Sequence, residues 1–219
     1  MKISLHRILS SGLLIVFLTC LFVDSAAQSI ALQNVTIYQE KISLGNGETA
    51  ASEMLSQEVA KRTGITWPVS AAWPASGDVI VLKKSSAKNK IPFTIPAAPA
   101  LGSKAESYRM VSVQHQSQKV IIIEGIDDRG VLFGTANLLR ILQYAKNTAA
   151  LIELPSLTTS PDKYLRGHQL GYRNTANSWD AWTKPQFEQY IRDLVVFGTN
   201  AIESIPIFDE KVRDRKSVV

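Results

Sequence analysis

The chain has 219 residues, of which 45% are hydrophobic and 20% charged, and it carries a formal net charge of +5. This is ordinary globular usage, so a disordered tail, a collagen-like fibre and a multi-span membrane protein are excluded. The positive surplus is small and spread along the chain, whereas a nucleic-acid binder clusters its basic residues. The length allows one or two domains.

The first 27 residues predict an export signal. Lys2 and Arg7 precede an apolar run over 13–23, and the small residues of 25–27 follow it. That run has about 11 residues, whereas a membrane-spanning helix needs about 20. We therefore expect a signal peptide over 1–27 that is cleaved near Ala27, a periplasmic or extracellular location, and no membrane attachment after cleavage.

The sequence offers no pattern typical of a metal or cofactor site. Its single cysteine, Cys20, lies in the predicted signal, so the mature protein would have neither a disulfide nor a thiolate ligand. His115 and His168 have no partner at ligand spacing. Neither a glycine-rich phosphate loop nor a nucleophile elbow is found. We predict no bound metal and no cofactor.

The first elements after the signal are a short strand over 35–38 and a helix over 48–63 that ends at Gly64. A buried strand follows over 78–83, and residues 84–104 predict an irregular surface excursion. The 3–4 spacing gives the helix an inner side, with its charged pair Glu58 and Arg62 at the margin: Ala51, Met54, Leu55, Glu58, Val59 and Arg62.

Two strands over 108–113 and 119–124 predict a hairpin, after which Asp127 or Asp128 can cap a helix. The inward residues of that helix are Val131, Thr135, Leu138, Leu139 and Leu142. The order of elements predicts an α/β (α+β) sandwich over 28–155, a mixed sheet with helices on one face.

Two glycines, Gly130 and Gly134, lie one turn apart on this second helix. Each costs about 1 kcal/mol relative to alanine in a helix. A helix that keeps both is expected to approach the sheet or a neighbouring domain closely; the alternative is a mildly unstable surface helix.

After a possible further strand at 151–154, residues 156–163 have the composition of a linker. A strand over 164–172, a polar loop and a second strand over 200–207 then flank a third helix. That helix starts with a T-x-x-Q capping box at Thr183 and Gln186 and ends at Gly198. Its apolar stripe is Phe187, Tyr190, Ile191, Leu194 and Val195. This is one βαβ unit, the repeat of a parallel barrel or of a doubly wound sheet.

Three segments resemble glycoside hydrolases. The segment IDDRGVLFGTANLL at 126–139 resembles the last helix of the non-catalytic domain that precedes the barrel in family 20 β-N-acetylhexosaminidases and, in related form, in α-glucuronidases. YLRGHQLGYR at 164–173 is similar to the first barrel strand of such enzymes, and FGTNAIE at 197–203 to the start of their second strand. The resemblance covers roughly 30–208. It implies an accessory domain over 28–155, followed at 164–219 by an incomplete (β/α)8 barrel start.

The resemblance also implies sugar-binding residues. Arg166 matches the arginine that binds hydroxyl groups of the terminal sugar in family 20; the alternative is an arginine paired with a neighbouring barrel carboxylate. Gly171 stands where family 20 has an aspartate, which leaves an α-glucuronidase-like or another barrel family open. Barrel enzymes build their sites after the strands, so Arg173, Asn174 and Trp179 are further candidates for contacts to a carbohydrate substrate. An ordinary solvated loop is the alternative.

No pair of catalytic carboxylates is recognisable. Asp127 with Asp128 is better explained as a helix cap, and Asp209 with Glu210 as a loop end or tail. A closed barrel takes about 250 residues, and only about 55 follow Tyr164. We therefore predict no catalytic residue in this chain, and we expect a truncated or partial reading of a longer protein.

The function favoured by these observations is the N-terminal accessory domain and barrel start of an exported glycoside hydrolase, which acts on O-glycosidic bonds of poly- or oligosaccharides and is inactive as this fragment. Two alternatives stay open: a secreted carbohydrate-binding protein without catalysis, and an extracytoplasmic protein-interaction module. The sequence does not determine the oligomeric state.

Overall fold

A computed structural model describes residues 29–40, 46–87, 90–170 and 182–204. The predicted signal peptide and the candidate residues Arg173, Asn174 and Trp179 lie outside these ranges. In chain order, the described elements are β1 (Ile30–Ala31), β2 (Thr36–Tyr38), α1 (Asn46–Thr63), β3 (Val69–Ser70), β4 (Val79–Lys84), β5 (Tyr108–His115), β6 (Gln118–Gly125), α2 (Asp128–Ile141), β7 (Gln143–Ala145), β8 (Thr148–Leu151), β9 (Ser156–Thr159), β10 (Gly167–Leu170), α3 (Lys184–Val196) and β11 (Ala201–Ser204).

The main sheet has six strands in the order β3-β2-β4-β6-β5-β9. Neighbours among β3, β2, β4 and β6 are parallel, while β5 runs antiparallel to both β6 and β9. Both α1 and α2 pack on one face, where Leu55 and Leu138 meet Ile80, Ile121 and Ile123 in one buried cluster. The predicted mixed sheet with helices on one face is confirmed. We call this unit, residues 29–160, the sheet domain.

The opposite face of the sheet is covered by irregular chain. Its buried residues are Tyr38, Val79, Val81, Val120 and Ile122, and the side chains packed on them are Trp73, Ile91, Phe93, Ile95 and Val113. Strands β4 and β6 are apolar at consecutive positions, so both of their faces need cover. The segment 84–104, predicted as a surface excursion, is irregular as expected. Part of it nevertheless supplies the second layer of the core.

The predicted end of α1 at Gly64 and the predicted cap of α2 are confirmed, while α1 begins at Asn46, two residues before the predicted start. Gly64 follows α1 with a φ of +81°, a left-handed conformation that glycine adopts without strain. The Asp127 side chain caps α2 by accepting from the Gly130 backbone N–H at 2.7 Å. All five predicted inward residues of α2 are buried.

The two glycines of α2 mark a close approach to the sheet. A Cβ atom on Gly130 would overlap the backbone oxygen of Ser107, and one on Gly134 would lie 2.5 Å from a methyl group of Ile123. The prediction of close approach is therefore confirmed, and the neighbour is the β5–β6 pair.

Residues 156–159, predicted as linker, form β9 at the edge of the main sheet. Their partner is β5, with Tyr108 opposite Thr159. An edge strand pairs on one side only, so a short segment with Ser and Thr between prolines can form one.

The strand expected at 151–154 is shifted: β8 ends at Leu151 and belongs to a separate sheet with the order β1-β8-β7. The proposed domain boundaries themselves stay predictions.

The segment after the sheet domain has the predicted parallel pairing. Strand β10 pairs with β11, with Gly167 opposite Ala201, and α3 lies between them in the chain. The Gln186 side chain accepts from the Thr183 backbone N–H at 2.8 Å, and Gly198 has a φ of +89°. We call β10–α3–β11 the βαβ unit. Two parallel strands are common to several folds, so the barrel stays a prediction.

None of the described helices is both long and apolar enough to cross a bilayer.

Candidate site at the domain junction

A groove of about 170 Å³ lies where the sheet domain meets the C-terminal end of α3. We call it the junction groove. Its lining includes Glu106, Tyr108, Phe133, Arg140, Arg166 and Phe197. The first four come from the sheet domain and the last two from the chain around the βαβ unit, so the groove depends on how these two parts pack together.

Glu106 organises one end of this groove. Its carboxylate accepts from Arg166 Nη2 at 2.6 Å, from Asn200 Nδ2 at 3.1 Å and from Arg129 Nη1 at 3.2 Å. Its backbone N–H donates to Asp127 Oδ2 at 3.0 Å, so the residue that caps α2 also fixes Glu106. Glu106 is 7% exposed and has a φ of +66°, a conformation that is uncommon for a residue with a side chain.

The contacts keep the Glu106 carboxylate ionised. Burial by itself raises the pKa of this carboxyl group, but the hydrogen bonds from Arg166, Asn200 and Arg129 together outweigh burial and hold the pKa below its ordinary value. No sequence pattern indicates this role, because Glu106 lies in an irregular polar loop before β5. The fold brings it into contact with Arg166 and Asn200, which lie 60 and 94 positions further along the chain.

Arg166 is bound on several sides by protein atoms. Its Nε donates to the Gly198 carbonyl at 2.6 Å, and its Nη1 donates to the Lys163 carbonyl at 2.8 Å. Its guanidinium also lies over the ring of Phe133 at 5.0 Å. The structure thus shows Arg166 paired with a carboxylate, as the alternative interpretation had it, but the carboxylate, Glu106, belongs to the sheet domain. Contact of Arg166 with a sugar stays a prediction.

Asn200 aligns the starts of the two parallel strands. Its Oδ1 accepts from the Arg166 backbone N–H at 2.8 Å, and its own N–H donates to the Arg166 carbonyl at 3.0 Å. Its Nδ2 also donates to the Tyr164 carbonyl at 2.6 Å. Asn200 therefore connects the beginning of β10, the beginning of β11 and Glu106.

A second buried acid joins α1 to α3. Glu58 is 1% exposed, forms an ion pair with Arg62 one turn away, and accepts from Gln189 Nε2 at 3.2 Å. Arg192 of α3 lies 3.8 Å from it. Burial raises the pKa of Glu58, but these hydrogen bonds and the charges of Arg62 and Lys61 outweigh burial and lower the pKa. The sheet domain thus holds the βαβ unit through two carboxylates, Glu58 and Glu106.

A third ionic group lies on the sheet face opposite the helices. Lys83, Glu124 and Arg109 occupy adjacent strands, and both cations pair with the one carboxylate. Arg109 also donates from Nη1 to the carbonyls of Pro96, Ala97 and Pro99 at 3.0–3.2 Å. This group therefore fastens the irregular covering segment to the sheet. With one carboxylate, it is not a pair of hydrolytic acids.

The other candidate residues have structural partners or lie outside the described ranges. Asp127 is the helix cap expected from the sequence, and Asp128 pairs with Lys84 at 2.8 Å. His168 Nε2 lies 2.6 Å from the Tyr190 hydroxyl. Asp209 and Glu210 fall outside the described residues. Within the described ranges, no group of three or more His, Cys, Asp or Glu residues could hold a metal ion.

The comparisons with known proteins give a likeness of fold. No family model matches the sequence, and neither does any curated protein. The chain is similar to a family 20 exo-β-N-acetylglucosaminidase from Vibrio harveyi, with 21% identity, a TM-score of 0.54, and coverage of 81% of this chain and 23% of that one. It is also similar to a family 115 4-O-methyl-α-glucuronidase with specificity for decorated arabinogalactans, with 14% identity, a TM-score of 0.58, and coverage of 80% and 26%.

A third similar structure is the family 20 chitobiase of Flavobacterium johnsoniae, with 17% identity, a TM-score of 0.51, and coverage of 81% and 24%. The chain thus spans about a quarter of the length of these structures. The resemblance to glycoside hydrolases is confirmed as a likeness of fold, and the individual family stays a prediction.

Proposed function

We propose that this chain is the N-terminal region of an exported glycoside hydrolase that acts on O-glycosidic bonds of poly- or oligosaccharides. In this proposal the sheet domain is the accessory domain, and residues from 164 onward begin a catalytic (β/α)8 barrel. The observation that carries the proposal is the uncovered apolar surface of the βαβ unit, together with the likeness of fold.

That surface includes large hydrophobic side chains at high exposure. Tyr164 is 89% exposed and Leu165 58%, both just before β10, and Ile191 and Ile202 within the unit are also exposed. Ile191 and Ile202 line one groove, and in soluble proteins a contiguous apolar patch marks a place where another part of the structure packs.

The groove between α2 and α3 supports the same proposal. It has a volume of about 270 Å³ and an apolar lining that includes Leu132, Ile191, Val195 and Ile202. Among the described residues, β10 and β11 pair only with each other. Parallel strands are normally buried on both faces within larger sheets, and a lone pair of strands is marginal. Further β/α units would cover the groove and pair the open strand edges.

The sheet domain then serves to position the first β/α unit. Glu106 binds Arg166 and Asn200 at the starts of β10 and β11, and Glu58 binds Gln189 on α3. Both strands and the helix between them are thereby fixed against one rigid layer.

The proposed chemistry needs residues beyond this chain. Glycoside hydrolysis uses two carboxyl groups about 5–5.5 Å apart for retention or further apart for inversion, or one acid assisted by the substrate. In the proposal these groups lie on later barrel strands. Arg173, Asn174 and Trp179 follow the first strand and contribute sugar contacts at the rim. Export through the signal peptide over 1–27 would deliver the enzyme to extracellular or periplasmic glycans.

The proposal is tested by comparing two polypeptides on a panel of nitrophenyl glycosides that includes the β-N-acetylglucosaminide and the α-glucuronide. One is this 219-residue chain, and the other is the same chain extended by the coding sequence that follows it. We expect hydrolysis by the extended chain and none by the shorter one. Hydrolysis by the shorter chain would contradict the placement of the catalytic carboxylates, and a folded extended chain that cleaves no glycoside would contradict the activity.

A further inference from the structure

The junction groove has features of a ligand site that the proposed hydrolysis does not require. We propose that it binds a small carboxylate-bearing ligand the size of a single sugar ring, namely a sugar acid. Because the proposal concerns binding to residues of this chain alone, it stands or fails independently of the catalytic barrel.

The first argument is the charge of Arg140 at one end of the groove. Its side chain is exposed, and its Nη2 donates to the neutral Oδ1 of Asn137 at 3.0 Å. In the part of the chain that the structure describes, no carboxylate forms an ion pair with it. Arg140 is thus oriented by a neutral partner, and its charge is open to an anion that enters the groove.

The second argument is that Glu106, the only acid among the described residues that line the groove, is already neutralised. Glu106 receives hydrogen bonds from Arg166, Arg129 and Asn200, and two of these donors carry a full positive charge. An anion that enters the groove therefore meets the field of Arg140 rather than that of a bare carboxylate. This balance favours an anionic ligand over a cationic one.

The third argument is the character and size of the walls. The ring of Phe133 is buried and that of Phe197 is 76% exposed, while Thr159 adds a polar side chain to the same lining. Aromatic and aliphatic walls pack on the C–H groups of a sugar, and polar side chains meet its hydroxyls. At about 170 Å³, the groove is smaller than the roughly 300 Å³ of pockets that take drug-sized ligands. A single ring fits this limit.

The test is titration of the full chain with glucuronate, glucose and benzoate, followed by saturation-transfer NMR. We expect saturable binding of glucuronate, and binding at least about tenfold weaker for glucose, which lacks the charge, and for benzoate, which lacks the hydroxyls. Arg140→Gln should weaken glucuronate binding at least about tenfold. Lys146→Gln, which removes an exposed cation from the β7–β8 turn, should leave it unchanged.

Phe197→Ala is the second variant, because this exposed side chain can be removed without opening the core; it should weaken glucuronate binding at least about threefold. Unfolding midpoints confirm that each variant is folded. The proposal is overturned if the folded chain does not bind glucuronate, if Arg140→Gln or Phe197→Ala binds it as well as the parent does, or if glucose or benzoate binds equally well.

Discussion

At the scale of single residues, the two glycines of α2 show that residues unfavourable in a helix can mark a tight packing contact, here with the sheet. Alanine at either position would favour the helix by about 1 kcal/mol. The structure shows why glycine is present: at Gly130 a side chain would overlap backbone of the Ser107 region, which cannot move aside as a flexible side chain can. The unfavourable helix propensity is thus offset by close packing of α2 on the sheet.

We expect Gly130→Ala to destabilise the protein by about 1–3 kcal/mol despite the gain in propensity, because the methyl group overpacks the junction with β5. Urea unfolding at neutral pH measures this. Gly167→Ala is the matched control, since its methyl group would meet only the Ala201 carbonyl oxygen at an ordinary 3.9 Å. If Gly130→Ala is as stable as the parent, the assigned close approach is wrong.

Glu106 supports a prediction about pH. Its pKa is lowered in the folded state, so its contribution to stability is complete at neutral pH and is lost as the pH falls below the ordinary value for glutamate and then through the lowered pKa. Glu106→Gln removes the charge that Arg166 and Arg129 bind, and should cost about 2 kcal/mol at pH 7.

Because the carboxylate of the parent becomes protonated in acid, the difference in unfolding free energy between parent and Glu106→Gln should shrink between pH 7 and pH 3. Glu58 and Glu124 titrate in both proteins, so their effect on the unfolding free energy cancels when parent and variant are compared at the same pH. A difference that stays constant over this range would show that the charge of Glu106 does not hold the junction.

At the scale of elements, the irregular segment 90–99 behaves as part of the fold. It has no regular secondary structure, yet Ile91, Phe93 and Ile95 cover the sheet, and Arg109 binds three carbonyls near its end. Burial of the apolar side chains and the hydrogen bonds of one arginine together hold it in place.

We expect Arg109→Ala to loosen this covering segment before it disturbs the sheet. Amide hydrogen exchange over 90–99 should become at least about tenfold faster, while the helix α2 keeps its protection. Lys146→Ala serves as the control because it removes an exposed cation far from the segment. Unchanged exchange over 90–99 in Arg109→Ala would show that apolar packing alone holds the cover.

The elements also show what the sequence could predict. Helices α1 and α2, the hairpin β5–β6 and the caps at Asp127 and Gly64 follow from periodicity and capping, which act over a few residues. Strand β9 and the covering segment could not be predicted in this way, since their composition is that of loops and only the edge and the open face of the sheet give them a place. The role of Glu106 depends on contacts with Arg166 and Asn200, far away in the chain, for which no local pattern exists.

At the scale of the whole molecule, the two parts of the chain differ in how well they are covered. The sheet domain has apolar layers on both faces of its main sheet, whereas α3 has no fully buried residue, and Tyr164 and Leu165 just before β10 are exposed. Buried ionic contacts at Glu58 and Glu106 hold this unit in place without covering it. We expect this contrast if the βαβ unit begins a barrel next to an accessory domain whose sheet is covered on both faces.

The most direct test of this account is to sequence the gene and its transcript past the codon for Val219. The account predicts that the following sequence, in the same or a shifted frame, encodes about 200 residues of alternating strands and helices with acidic residues at strand ends, enough to complete a barrel. A transcript with no such β/α alternation in any frame would contradict the claim that the βαβ unit begins a larger catalytic barrel.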